Sequence, residues 1–262
     1  MVIALTALWL AGCGAAPAPS STPVQQWRAT APFYIAHRGG DADWVEGTAD
    51  AYARAVAWNP ALALEIPVRL TADGVWVVSE DPTTGRVFGT DDQISRTTWA
   101  ALSALRTVRG HHPMARLVDD VLAVLPRNRV VFVDDKPNAD IPGFLQLLGK
   151  FGGPARFVVK SYWQSADLPR QAHQLGYLTW GYYYADNMKS FPATQGRFDL
   201  LGLNYDAPAA DFAALRATGK PVVAHVIGSA AAAATGLAKG AAGLMVSDVQ
   251  QVVPHVGATD GP

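Results

Sequence analysis

The chain has a single cysteine in 262 residues, Cys13, so no internal disulfide can form and no thiol is available for a role elsewhere. It also lacks an excess of charge: 21 Lys and Arg stand against 22 Asp and Glu, with no basic cluster. That balance removes the electrostatic footprint of a nucleic-acid binder and suits a small or lipid-derived anionic ligand better. The apolar run at residues 2–10, interrupted only by Thr6, is too short to span a bilayer. No internal repeat is present. What the chain does have is apolar bulk, 50% of its residues, enough for one large core.

The apolar run ends in Leu10-Ala11-Gly12-Cys13. A hydrophobic stretch, then small residues, then cysteine resembles a bacterial lipoprotein signal. Residues 1–13 are read as that signal, with lipidation at Cys13 holding the protein to the membrane at the extracytoplasmic face of the cell envelope. Residues 14–30, rich in Ala, Pro, Ser and Thr, have too little large apolar surface to fold alone and read as a flexible tether. Residues 31–262 suit one domain.

Within that domain, short β-branched runs alternate with longer helical patterns. Strands are expected at residues 33–36, 61–68, 76–78, 130–133, 157–159, 178–180, 200–203, 222–226 and 243–246. Helices are expected near 48–58, 116–125, 141–151, 168–175, 209–218 and 230–239. Strand and helix in alternation predict a parallel sheet covered by helices, and about eight such units predict a closed (β/α)8 barrel of the TIM type. In that fold functional residues sit at the C-terminal ends of strands. His37-Arg38-Gly39, Glu46, Glu65, Glu80-Asp81 and Asp134-Asp135-Lys136 all follow or end apolar runs there.

Taken together, His37-Arg38-Gly39, Glu46-Gly47-Thr48, Glu65, Leu70-Thr71-Ala72-Asp73-Gly74, Val77 to Thr83, Asp134 to Pro137 and the final stretch Lys239 to Asp248 resemble the glycerophosphodiester phosphodiesterases. The resemblance extends over nearly the whole domain. It implies a phosphodiesterase barrel that releases an alcohol from glycerophosphodiesters or related lipid headgroups, with Ca2+ or Mg2+ held by carboxylates and two histidines moving protons. Carried over, it makes His37 a catalytic histidine, Arg38 and Lys136 the phosphate partners, and Glu65, Asp134 and Glu46 the metal ligands.

Three positions depart from that pattern. Pro67 stands where a second carboxylate of the Glu65 strand end is expected, Glu80 where the second histidine is expected, and Asp134 where a longer glutamate is expected. A softer departure is His225, in a late strand where the family often has tryptophan. Glu80 then inherits the acid/base role. The alternative is a non-catalytic relative that binds a phosphodiester or other anion at the cell envelope. A lyase-type use of the same site is a third possibility.

Each residue also has a plainer role open to it. His37 and Arg38 could cap a strand and pair with Glu65, and Glu46 could assist the helix beginning near Thr48. His111-His112, before Pro113, reads as an exposed loop. Tyr162-Trp163, Trp180 and Tyr182 to Tyr184 follow strands and read as groove lining or rim packing.

Overall fold

A computed structural model describes residues 21–256; residues 1–13, including Cys13, and the first part of the 14–30 segment lie outside the described residues. Its centre is a nine-stranded sheet, β1 (Phe33–Ala36), β2 (Ala63–Leu70), β3 (Trp76–Val78), β4 (Val131–Asp135), β5 (Phe157–Tyr162), β6 (Leu178–Tyr183), β7 (Leu200–Asn204), β8 (Val222–Ile227) and β9 (Gly243–Val246). Neighbours pair in the order β1-β9-β8-β7-β6-β5-β4-β2-β3, and a further β1–β2 pairing closes the ring. All pairs are parallel except β2 with β3. The architecture is therefore the expected (β/α)8 barrel in one domain. Trp76–Val78 is not one of its staves: it is the return arm of a hairpin whose turn contains Gly74 at φ +82.

Alternation along each strand sorts side chains into two cores. Phe33, Ile35, Ala63, Phe132, Val158, Trp180, Leu200, Val223 and Met245 fill the barrel, whereas Leu64, Ile66, Val68, Val131, Val133 and Val159 face the helices. The interior is crowded. A Cβ on Gly202 would lie 2.7 Å from the Trp180 ring, so only glycine leaves that indole its space.

Helices form close to their expected positions, at Ala49–Trp58, Ile141–Lys150, Asp167–Gln174, Ala209–Arg216 and Ala230–Ala238. Thr48 caps the first of them, its hydroxyl accepting from Ala51 N at 3.1 Å. The expectation at 116–125 is corrected to a single π-helical stretch, Leu117–Leu122, preceded by Arg116 whose N–H and guanidinium both donate to Asp120. Between β3 and that stretch the chain makes a long excursion over the rim, fastened by a small core of Val77, Ile94, Leu102 and Met114.

The tether expectation is also corrected in its second half. Pro23–Arg28 is helical, capped by Thr22, with Val24 and Trp27 buried. Trp27 joins the barrel core, its ring 4.1 Å from Phe33 and 5.1 Å from Phe132. One indole supplied the apolar surface that the composition of the segment as a whole lacked. Among the described residues, no helix is long and apolar enough to cross a membrane.

Candidate active site

At the C-terminal ends of β1, β2, β4 and β5 the apolar interior gives way to charge. The alternation that buries Phe132 and Val158 brings Asp134 and Lys160 to the same inner face two residues later, and Ala63 is followed in the same way by Glu65 and Pro67. Glu65 is fully buried, with Asp134 2% and Lys160 3% exposed.

The chain leaves β1 through a tight turn in which Arg38 (φ +50), Gly39 (φ +88) and Gly40 (φ +93) all adopt left-handed backbone. Glu65 secures that turn: its Oε2 accepts from the Arg38 backbone N–H at 2.8 Å, while Oε1 accepts from Lys160 Nζ at 2.7 Å. Burial alone would raise the Glu65 carboxyl, but Lys160, His37 and Lys136 outweigh it and hold it down at about 2. The opposing effect holds both ammonium groups well above their ordinary value despite their burial, Lys160 through Glu65 and Asp134, and Lys136 through Asp134, Tyr182 and Glu80.

His37 Nδ1 lies 3.0 Å from Asp41 Oδ1, and the Ser247 hydroxyl donates to the same oxygen. Burial pushes the Asp41 carboxyl up, yet the hydrogen bonds from His37 and Ser247 prevail and it sits below its ordinary value. When Nδ1 carries the proton and donates to Asp41, Nε2 is the imidazole's free nitrogen and a base.

Glu80 is carried to the rim by β3. Its Oε1 is 2.9 Å from Lys136 Nζ and 3.4 Å from the Arg38 guanidinium, so it links the two expected phosphate partners. Arg69 closes the corner below, donating to the Glu80 carbonyl at 2.7 Å. Lys136 also lies 2.8 Å from Asp134 Oδ2, which is 3.1 Å from Lys160 Nζ. That oxygen is in ion-pair range of both ammonium groups without hydrogen-bond alignment to either. Tyr182 floors the pair, its ring centroid 4.7 Å from Lys160 Nζ and 5.7 Å from Lys136 Nζ.

The structure thus brings His37, Arg38, Glu65, Glu80, Asp134 and Lys136 into one network. The expected metal triad does not converge. Glu46 is held bidentately by Arg86 at 2.6 and 2.7 Å and accepts from Arg38 Nη1 at 3.3 Å, while Glu65 and Asp134 share Lys160. Pro67 adds no side-chain donor, and its carbonyl already accepts from Ser79 N at 3.0 Å. Among the described residues, no group of three His, Cys, Asp or Glu is arranged to hold a metal ion. A calcium ion asks for six to eight oxygens at about 2.3–2.6 Å. The donor set here does not fit one, because its oxygens already face ammonium and guanidinium groups.

Three residues around the network escape a reading of the sequence alone: Asp41, Arg86 and Lys160. Asp135 is 2% exposed, faces out of the barrel beside Val133, and is raised to about 7 by burial and by neighbouring Asp134. It is the acid of this region poised near neutrality. His225 is buried with Nε2 3.1 Å from the Tyr183 carbonyl, and burial lowers it to about 3, so it stays neutral. A cavity of about 10 Å³ lies at one edge of the mouth between Arg38, Glu46, Pro67, Glu80 and Phe88.

Comparison with known proteins agrees with the fold. Residues 37–147 match the Glycerophosphoryl diester phosphodiesterase family. Glycerophosphodiester phosphodiesterase 1 of Mus musculus is 33% identical over 115 residues, a match that spans 41% of this chain and 34% of the mouse protein's length. A glycerophosphoryl diester phosphodiesterase structure from Agrobacterium tumefaciens superposes with a TM-score of 0.74 at 16% identity, covering 83% of this chain and 94% of that one. A phosphodiesterase from Oleispira antarctica, solved with its product sn-glycerol-3-phosphate, superposes with a TM-score of 0.71 at 18% identity, covering 84% and 94%. Residues 37–147 thus resemble the glycerophosphoryl diester phosphodiesterase family, and the chain as a whole shares the barrel fold of these structures.

Proposed function

We propose that this chain is a phosphodiester hydrolase acting on glycerophosphodiesters or related lipid headgroups, with His37 as its base. The observation that carries the reading is the His37–Asp41–Ser247 relay, which orients an imidazole at the rim beside Arg38, Lys136 and Lys160. Arg38 and Lys136 exchange Glu80 for phosphate oxygens on binding. His37 Nε2 then takes the proton of the glycerol 2-hydroxyl as it attacks phosphorus, the bond from phosphorus to the departing alcohol oxygen breaks, and a water molecule then opens the resulting cyclic phosphate to glycerol phosphate. The departing oxygen takes its proton from Glu80 or from water, a role for Glu80 supported by its place beside Arg38 and Lys136. The Oleispira antarctica phosphodiesterase, whose product is a glycerol phosphate, supports this class of ligand.

The test is release of alcohol from several glycerophosphodiesters by the full chain. His37→Ala is expected to lower the rate by about 10²- to 10⁴-fold, the usual worth of one positioned base. Turnover that survives His37→Ala would overturn the assignment. A second reading, a binding protein without turnover, is favoured by one observation: Glu80, at the proton-donor position, is engaged by two cations. Measurable binding of a glycerophosphodiester with no alcohol released would select it.

We further propose that Cys13 is lipidated and anchors the barrel at the extracytoplasmic face, a reading supported by the hydrophobic and small residues that precede it. Release of the protein from membranes on Cys13→Ala is the expected outcome.

A further inference from the structure

We propose that the Lys160 ammonium is the resident cation of this site, held where Glu65 and Asp134 meet, so that the site recognises a phosphate ester without a divalent ion. The inference rests on the phosphodiester reading of the mouth and deepens it.

The position is specific. Lys160 Nζ is 2.7 Å from Glu65 Oε1 and 3.1 Å from Asp134 Oδ2, between carboxylates contributed by two different strands. Glu65 has no oxygen left over, because Oε2 receives the Arg38 backbone N–H at 2.8 Å. Asp134 Oδ2 is shared with Lys136 at 2.8 Å. Two ammonium groups therefore place two positive charges against these two carboxylates, the charge one divalent ion would supply. The surroundings suit ammonium rather than metal. A Tyr182 ring face lies 4.7 Å from Lys160 Nζ, a contact that attracts an organic cation and offers no oxygen to a hard ion. The departure at Pro67 then makes sense. With a covalently attached cation, a third carboxylate at that position would bring excess negative charge into a buried cluster.

Lys160 is in place before any ligand arrives. Its charge attracts a phosphate oxygen entering beside Lys136 and Arg38 without the release of bound water that a metal ion requires. It also ties β5 to β2 across β4, fixing the Glu65 oxygen that holds the Arg38 turn.

Calorimetry on the full chain tests this with two probes, Ca2+ alone and sn-glycerol-3-phosphate. The wild type is expected to show no Ca2+ binding and the same affinity for sn-glycerol-3-phosphate in chelator and in millimolar Ca2+, whereas Lys160→Gln weakens that affinity by about tenfold or more. Lys160→Gln also leaves two buried carboxylates without their cation, and Ca2+ is expected to raise the melting temperature of this variant and not that of the wild type. Stoichiometric Ca2+ uptake by the wild type, or loss of its anion binding in chelator, overturns the proposal. If sn-glycerol-3-phosphate binds the wild type in neither buffer, the phosphodiester reading fails, and the Ca2+ titration of the wild type still decides the identity of the resident cation. That titration needs no variant to fold.

Discussion

The two ends of the barrel bury cations in opposite ways. At the base, Arg129 and Arg156 are buried and donate to backbone carbonyls, Arg129 to Leu62 O at 3.2 Å and Arg156 to Phe151 O at 3.0 Å. Burial, with Arg127 and Arg129 close by, lowers Arg156 to about 10. At the mouth, Arg38, Lys136 and Lys160 are paired with carboxylates. A carbonyl partner is fixed by the fold, so the base cations act as staples. A side-chain carboxylate such as Glu80 can swing aside for another anion, so the mouth cations are exchangeable. A cavity of about 340 Å³ lies at the base among Trp27, Phe33, Pro60 and Arg129, and one of about 510 Å³ lies outside the barrel among Thr48, Trp99 and Arg116, both away from the chemistry. Empty space is a poor guide here, because a site whose charges satisfy one another is closed.

The sharpest way to break this contrast is at the base. Trp27→Ala removes an indole packed on Phe33 and Phe132, and a loss of roughly 3 kcal/mol is expected in denaturant unfolding, with anion binding at the mouth unchanged. A change in anion affinity as large as the change in stability would show that the two ends are not independent.

The next largest effect concerns pH. Asp135 is raised from 3.8 to about 7, so between those values the folded chain keeps a proton that the unfolded chain has lost, and stability falls as pH rises. Asp135→Asn is expected to remove that slope and to stabilise the protein at pH 8 by on the order of 1–3 kcal/mol, read from urea midpoints across the range. Glu65, depressed to about 2 from 4.5, has the opposite sign: its stabilisation is present above 4.5 and lost as pH falls toward 2. An Asp135→Asn variant whose urea midpoint tracks the wild type at every pH would overturn the assignment.

The smallest effect is at the rim. Arg86 is 49% exposed, and although it grips Glu46 bidentately, solvent screening limits the pair. Arg86→Ala is expected to cost less than about 1 kcal/mol and to cost less still in high salt. A larger, salt-insensitive loss would show that the Arg86 pair is as buried as the Arg38–Glu46 pair beside it.

Much of the fold was legible because strand and helix periods are local. Phe33–Ala36, Trp76–Val78 and Gly243–Val246 fall where β-branched and small apolar runs put them, and Thr48 announces its helix. His37, Arg38, Glu65 and Lys136 were legible as a site because they end such runs. Lys160 was not. Its strand reads as finished at Val159, and its partner Glu65 is 95 residues away. The signal was present in the alternation: Val158 points inward, so Lys160 does too, an uncompensated charge in a barrel interior unless a carboxylate meets it. The Pro23–Arg28 helix was missed for a related reason, since the burial of one tryptophan depends on a surface made by other strands.

By itself the sequence determined the alternation of strands and helices, the polar groups at strand ends and the family resemblance of residues 37–147, since each rests on order and spacing along the chain. Only the tertiary structure decided which charges meet. Barrel closure brings β1, β2, β4 and β5 to one rim, Coulomb energy in that buried space pairs Glu65 and Asp134 with Lys160, and at the exposed edge Glu46 meets Arg86 and Arg38.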